Sequence, residues 1–283
     1  MKIAMQGVSG AFHEIAIREY FKGQQYDVVA CDTFNELFDA LHDGRANYAM
    51  MAIENSLVGS ILPNYTLLRE SGLRILGEVY LRIEQHLLGT PGSTIEKIKK
   101  IYSHPMAIQQ CNKFLTPLRR KGVVMVDAED TALSARRIST ENLKKHAAIA
   151  SRLAAKLYHL DILAESIETN KNNFTRFLIL SNEENYQNHK KGQHINKSSL
   201  YFLLPHEQGK LSEVLSVLTF YKINLTKIQS LPIAGRNWEY LFYVDLEFND
   251  YDKYKKALEA IGPLLSEMNI LGEYQKGETA HEN

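Results

Sequence analysis

Cysteine is scarce in this chain of 283 residues: there are only Cys31 and Cys111. They lie far apart and outside any Cys-x-x-Cys spacing, which argues against a disulfide framework or a zinc site. Net charge is absent as well, since 33 Lys and Arg balance 33 Asp and Glu. No global field draws nucleic acid or an anionic membrane, so an anionic partner has to be held locally. No apolar run reaches membrane-spanning length, and Met1-Lys2-Ile3-Ala4-Met5-Gln6 turns polar too soon for a secretion signal. A cytoplasmic protein is the expectation. Paired carboxylates, a phosphate-binding lysine loop and clustered histidines are also missing. Metal and covalent mechanisms therefore lose ground, no metal or cofactor is expected, and neutral donors with one arginine remain.

The 45% hydrophobic content can bury a sizeable core, and the length suggests two domains. The clearest break is the polar stretch 182–197, read as a linker between a domain at 1–181 and one at 198–276, with a polar tail at 277–283. In the first domain short apolar runs alternate with amphipathic segments of helical length. They form one set up to Ile53 and another from Leu76 to Ala150, which predicts two α/β lobes with largely parallel sheets. The segment from Asp161 to Leu180 is expected to return to the first lobe and place Thr175 near the cleft between lobes. After the break the order becomes strand, helix, strand, strand, helix, strand, a ferredoxin-like βαββαβ module.

Asn173-Phe174-Thr175-Arg176-Phe177 puts a hydroxyl beside a permanent cation at a loop-to-strand edge. Arg176 offers a planar fork for a carboxylate and Thr175 a short-range proton donor, although an isolated Thr-Arg pair is more often ordinary surface. Gly7-Val8-Ser9-Gly10-Ala11 opens a helix after a strand, where free N–H groups suit an anion, but it is not a dinucleotide fingerprint. Glu54-Asn55-Ser56 ends a strand with donors to a substrate oxygen, or with helix caps. Ser103-His104-Pro105 through Gln110-Cys111 repeats that logic in the second lobe; a thiol-hydrolase pair of His104 and Cys111 is disfavoured because the thiol sits well inside a predicted helix. Asp130-Thr131-Ala132 and Ala148-Ile149-Ala150-Ser151 supply two more hydroxyls at helix starts.

In this order and spacing, nearly the whole chain resembles the prephenate dehydratases with an appended ACT regulatory domain. The resemblance implies a two-lobed, periplasmic-binding-protein-like catalytic domain of α/β class, followed by the ferredoxin-like βαββαβ ACT domain. It implies decarboxylating dehydration of prephenate to phenylpyruvate in phenylalanine biosynthesis. Thr175 takes the catalytic role associated with that family's Thr-Arg-Phe motif, with Arg176, Asn55 and Ser56 beside it. Gly10, Ala11, Glu54, Ser103, His104, Gln110, Thr131, Ser151 and Phe177 are expected to meet substrate, Arg176 and the N–H groups near Gly10 holding its carboxylates. Because the chain starts directly at its first strand, a monofunctional enzyme without a chorismate mutase domain is expected.

In the ACT part, Gly209, Lys210 and Leu211 with Gln229, Ser230, Leu231 and Pro232 stand where the family binds phenylalanine. Lys210 replaces the family's usual alanine, and Gln229 and Leu231 replace an acid and an arginine, which points to weakened or retuned inhibition. The resemblance also implies a homodimer or homotetramer through ACT domains. Two readings stay open beside it: an arogenate dehydratase, and a non-enzymatic carboxylate or amino-acid sensor.

Overall fold

A computed structural model describes residues 1–233 and 240–281. The chain forms β1 (Lys2–Gln6), α1 (Phe12–Tyr20), β2 (Asp27–Cys31), α2 (Phe34–His42), β3 (Tyr48–Asn55), β4 (Gly59–Ser60), α3 (Leu62–Ser71), β5 (Arg74–Arg82) and β6 (His86–Gly89). There follow β7 (Lys100–Ser103), α4 (Pro105–Gln110), α5 (Asn112–Arg120), β8 (Val124–Asp127), α6 (Thr131–Thr140), β9 (His146–Ala150), α7 (Arg152–Leu157), β10 (Asp161–Ala164) and β11 (Phe174–Ser181). The remainder comprises α8 (Glu183–Lys190), β12 (Lys197–Leu203), α9 (Lys210–Phe220), β13 (Asn224–Pro232), β14 (Tyr240–Glu247), α10 (Tyr251–Ile261), β15 (Glu267–Tyr274) and β16 (Thr279–Ala280). Among the described residues no helix is long and apolar enough to cross a membrane.

Two compact units emerge: residues 1–68, 79–178 and 278–283 in the first, 69–78 and 179–277 in the second. The first unit has two lobes. One is the sheet ordered β16-β5-β11-β3-β1-β2, with β1 parallel to β2 and β3; the other is ordered β10-β6-β9-β7-β8, parallel where β7 meets β8 and β9. Parallel strands covered by helices are buried on both faces and read as unbroken apolar runs, as in Ala49, Met50, Met51 and Ala52 of β3. The second lobe closes around Ile101, Ile108, Leu115, Ile149 and Leu87 on one side and small alanines, among them Ala132, Ala135 and Ala154, on the other.

The set expected to form the second lobe from Leu76 onward starts later: Leu76 lies in β5 of the first lobe's sheet, and the second lobe's first strand is β6. The helix predicted to run through Cys111 is broken at that residue. There the Gln110 carbonyl accepts from Thr169 N–H at 2.8 Å instead of continuing the ladder, and α5 starts afresh. Of the segment from Asp161 to Leu180, only β11 returns to the first lobe as expected, lying between β5 and β3; β10 stays in the second lobe, antiparallel to β6.

The second unit is a four-stranded sheet ordered β13-β14-β12-β15, every neighbouring pair antiparallel, with α9 and α10 packed on it. This is the ferredoxin-like order. The stretch 182–197 is not a bare linker: Asn182 caps α8 by accepting from Asn185 N–H at 2.9 Å, and Tyr186 of that helix is fully buried. A single anchoring aromatic on an otherwise polar helix leaves too narrow an apolar stripe for a periodicity reading to register. The tail is not loose either, because Thr279 and Ala280 pair with Tyr80 and Leu81 of β5.

Candidate active site

The first unit holds a cleft of about 290 Å³ between its lobes, lined from one side by Gln6, Ala11, Phe12, His13, Asn55, Thr175 and Phe177 and from the other by His104, Gln110, Glu129, Asp130 and Thr131. Alternation along β11 decides which side chains reach it. Residues i and i+2 share a face, so Thr175 and Phe177 line the cleft, whereas Arg176 is buried on the opposite face with its guanidinium over the Tyr80 ring. The expectation that Arg176 anchors a substrate carboxylate is therefore corrected: a neighbour in sequence on a strand points away.

A chain of amides holds Thr175. Asn55 Oδ1 accepts the N–H groups of Leu57 and Val58 at 3.0 and 3.2 Å, which fixes the orientation of that amide and turns Nδ2 inward. Nδ2 then donates to Thr175 Oγ1 at 3.0 Å and to Asn173 Oδ1 at 2.8 Å, and Asn173 Nδ2 donates to Gln110 Oε1 at 3.0 Å. The Thr175 oxygen is thus an acceptor towards the protein, and no described residue accepts its proton. Its O–H is left for whatever occupies the cleft. Gln110, with its oxygen engaged, likewise presents its amide nitrogen as a donor.

Ser56 clamps the loop that carries Thr175. Its Oγ donates to Asn172 O at 3.0 Å and accepts from Phe174 N–H at 2.9 Å, while its own N–H donates to Phe174 O at 2.8 Å. Ser56 does not line the cleft, and neither does Glu54.

The glycine turn has a different job from the one expected. Gly10 N–H donates to Glu14 Oε2 at 2.8 Å, so it is not offered to an anion, and Gly10 O accepts from Ser151 Oγ at 2.6 Å. With φ at +91° and Ala154 Cα 3.0 Å from where a Cβ would stand, only glycine fits at position 10. Ser151 also caps α7, and Ser103 is buried with its Oγ on Ile149 O at 2.7 Å; neither lines the cleft. Ala11 does line it, at the entry to α1.

Two histidines face the cleft. His104 accepts Met106 N–H on Nδ1 at 3.2 Å, which leaves Nε2 as the nitrogen that carries a proton. His13, missed by motif reading, accepts Ala52 N–H on Nε2 at 3.3 Å and packs edge-on against Phe177. Burial lowers its pKa to about 4, so near neutrality it is an uncharged imidazole with an Nδ1–H donor. Burial pushes the Asp130 carboxyl upward although its Oδ1 caps α6 at Leu133 N–H, 2.7 Å. Cys111 is fully buried, its thiol pushed up to about 12, and it is not part of the cleft. The described residues include no group of three or more His, Cys, Asp or Glu side chains disposed to hold a metal ion.

Residues 3–185 match the family model described as prephenate dehydratase. The chain belongs to the prephenate dehydratase family. Its members are hydro-lyases, and this chain is an enzyme of that class. A chloroplastic arogenate dehydratase/prephenate dehydratase of Arabidopsis thaliana is 37% identical over 97% of this chain and 72% of its own length. A bifunctional chorismate mutase/prephenate dehydratase of Aquifex aeolicus is 35% identical over 98% of this chain and 74% of its own. Among solved structures, a protein described as GqqA, a novel type of quorum quenching acylase, aligns with TM-score 0.85 at 33% identity over 98% of both chains. A prephenate dehydratase from Arthrobacter aurescens in complex with L-Phe aligns with TM-score 0.83 at 25% identity, over 98% of this chain and 90% of that one.

The second unit carries a smaller cavity of about 210 Å³. Gly209, Lys210 and Leu211 line it with Leu204, His206, Tyr240 and Phe242. Gln229, Ser230, Leu231 and Pro232 of β13 do not line it, but Ser230 and Pro232 pair with Phe242 and Tyr240 in the sheet. Lys210 is turned towards Glu207 and Glu213, at 3.5 and 3.2 Å.

Proposed function

We propose that this chain converts prephenate to phenylpyruvate, with Thr175 acting on the departing hydroxyl. The observation that carries the reading is the bond from Asn55 Nδ2 to Thr175 Oγ1, which leaves the threonine proton directed away from the protein. Prephenate loses the carboxylate on its quaternary ring carbon as carbon dioxide; the electron pair enters the ring as the opposite C–O bond breaks. The hydroxyl leaves as water, its proton donated by Thr175, which regains one from solvent. Aromatisation drives the reaction, so positioning and electrostatics in a dry cleft supply the remaining acceleration.

With Arg176 turned away, the substrate's negative charge falls to other donors: the amide of Gln110, the Nδ1–H of His13 and the amino-terminal ends of α1 and α6, all lining the cleft. These donors are neutral dipoles, which suits departure of carbon dioxide from a carboxylate that a tight ion pair would hold back; the carboxyl groups of Glu129 and Asp130 line the same cleft, that of Asp130 pushed upward by burial.

Arogenate is the second substrate this reading has to accommodate, since several relatives bear that name. Parallel assays of phenylpyruvate formation from prephenate and phenylalanine formation from arogenate test both, and turnover of neither sinks the proposal. An N-acyl amide in the same assays tests the activity named for the GqqA structure.

The second unit we read as an ACT domain that binds L-phenylalanine, the end product, and pairs with its counterpart in a dimer or tetramer. Support comes from its topology, the cavity beside Gly209, and the L-Phe named in the complex of the Arthrobacter aurescens relative. Inhibition by phenylalanine across micromolar to millimolar concentrations tests it, and no effect at millimolar levels overturns it. We place the enzyme in the cytoplasm; fractionation of the source cells checks that.

A further inference from the structure

Gln85 lies in the connection between β5 and β6 and lines the catalytic cleft with only 3% of its surface exposed. Its backbone is fully engaged, the N–H donating to Glu168 Oε2 at 3.0 Å and the carbonyl accepting from Ile167 N–H at 2.7 Å. Its side chain is not. The carboxamide oxygen is buried without a hydrogen-bond partner, and no described residue bonds the nitrogen. A buried amide oxygen left unpaired is unfavourable unless something else meets it, and no motif reading singled this residue out. The amides of Asn55, Asn173 and Gln110 are each held in one orientation by their neighbours. That of Gln85 is held in neither.

Prephenate and arogenate differ in one group on the side chain, a 2-oxo in the first and a 2-ammonium in the second. One accepts hydrogen bonds and the other only donates them. An amide that no protein group orients can turn its nitrogen to the first and its oxygen to the second. We infer that Gln85 contacts the C2 group of the substrate and lets one cleft take both the 2-oxo and the 2-ammonium acid. This rests on the dehydratase reading above. The residue touches a group that does not react, so its role is recognition rather than chemistry.

The test compares kcat and KM for both substrates in wild type, Gln85→Glu and Gln85→Met, with thermal midpoints to establish that each variant is folded. Glutamate offers only acceptors, and when ionised it repels a 2-oxo dianion. The arogenate-to-prephenate ratio of kcat/KM should rise about tenfold in Gln85→Glu. Methionine keeps the shape and removes both polar ends, so KM should rise about fivefold for each substrate with kcat within about threefold of wild type. A ratio within about threefold of wild type in Gln85→Glu, or an unchanged KM for either substrate in Gln85→Met, overturns the inference. Should Gln85→Glu fail to fold, the methionine variant decides alone. A wild-type chain inactive on both substrates removes the dehydratase reading and this one together, whereas an active wild type with indifferent variants removes only this one.

Discussion

Asn55 and Thr175 stand 120 residues apart in sequence and 3.0 Å apart in the cleft, joined by an amide N–H that donates to the threonine oxygen. Two backbone donors on the far side of the Asn55 amide make that direction unambiguous. The Thr175 hydroxyl is therefore aimed by a second residue, and each of the two can be tested separately.

Thr175→Ala removes the proposed proton donor and leaves the amide chain a partner short. Turnover with prephenate should fall roughly 10²-fold or more, the usual range for a positioned proton-transfer group. Thr175→Ser keeps the hydroxyl and should stay within about tenfold of wild type. Steady-state assays of phenylpyruvate release measure both.

Asn55→Asp replaces the donating nitrogen with an acceptor. The Thr175 proton then turns back to the new carboxylate, and kcat should drop by about 10- to 100-fold with a smaller change in KM, the pattern of an interaction that matters in the transition state. An Asn55→Asp enzyme with normal kcat would show that the hydroxyl's direction is unimportant.

His13 ties stability to pH. Its folded pKa is depressed to about 4 from an ordinary 6.5, so below 6.5 the unfolded chain takes up a proton that the folded chain refuses. Its contribution is full above pH 6.5, declines as pH falls towards 4, and is lost below that, amounting to at most about 3 kcal/mol. His13→Gln should therefore lose less of its thermal midpoint than wild type between pH 7 and 4.5. The kcat/KM profile should also show no step from this histidine near pH 6.5.

In the second unit Lys197 is paired with Glu78, Nζ lying 2.8 and 3.1 Å from the two carboxylate oxygens, both side chains almost completely buried. Gly277 N–H adds a third bond to Glu78 at 3.2 Å. Lys197→Met alone strands a buried carboxylate and should destabilise by about 3–5 kcal/mol, while the double variant with Glu78→Leu should recover much of that loss. Denaturant unfolding of the single and double variants measures the difference.

Much of this was legible in the sequence, for physical reasons. Alternating apolar runs and amphipathic segments gave the two α/β lobes and the βαββαβ module, because burial on both faces or on one stripe leaves a direct periodic trace. The motif residues Asn55, Gln110, Thr131, Thr175 and Phe177 do lie in or around one cleft. What sequence hid was direction. Arg176 differs from Thr175 by half a strand period and so faces away, and Gly10 N–H is consumed by Glu14, four residues on. Ser103 and Ser151 look like ligands in a motif but bond the protein's own carbonyls. His13 and Gln85 carry no spacing signal, since their significance lies in atoms left without protein partners, a three-dimensional property. α8 escaped notice because one buried tyrosine anchors it.

The pairing of β16 with β5 puts the last described residues back in the first unit, so the chain passes between units four times: after residues 68, 78, 178 and 277. The second unit is thus a set of insertions rather than a bead on a string, and two of the crossings run through β5 and β11 themselves. A single cut in the polar stretch 182–197 cannot separate the first unit from the second. Recombination that traded one ferredoxin-like module for another at that point would also have to exchange part of the strand that ends three residues before Gln85.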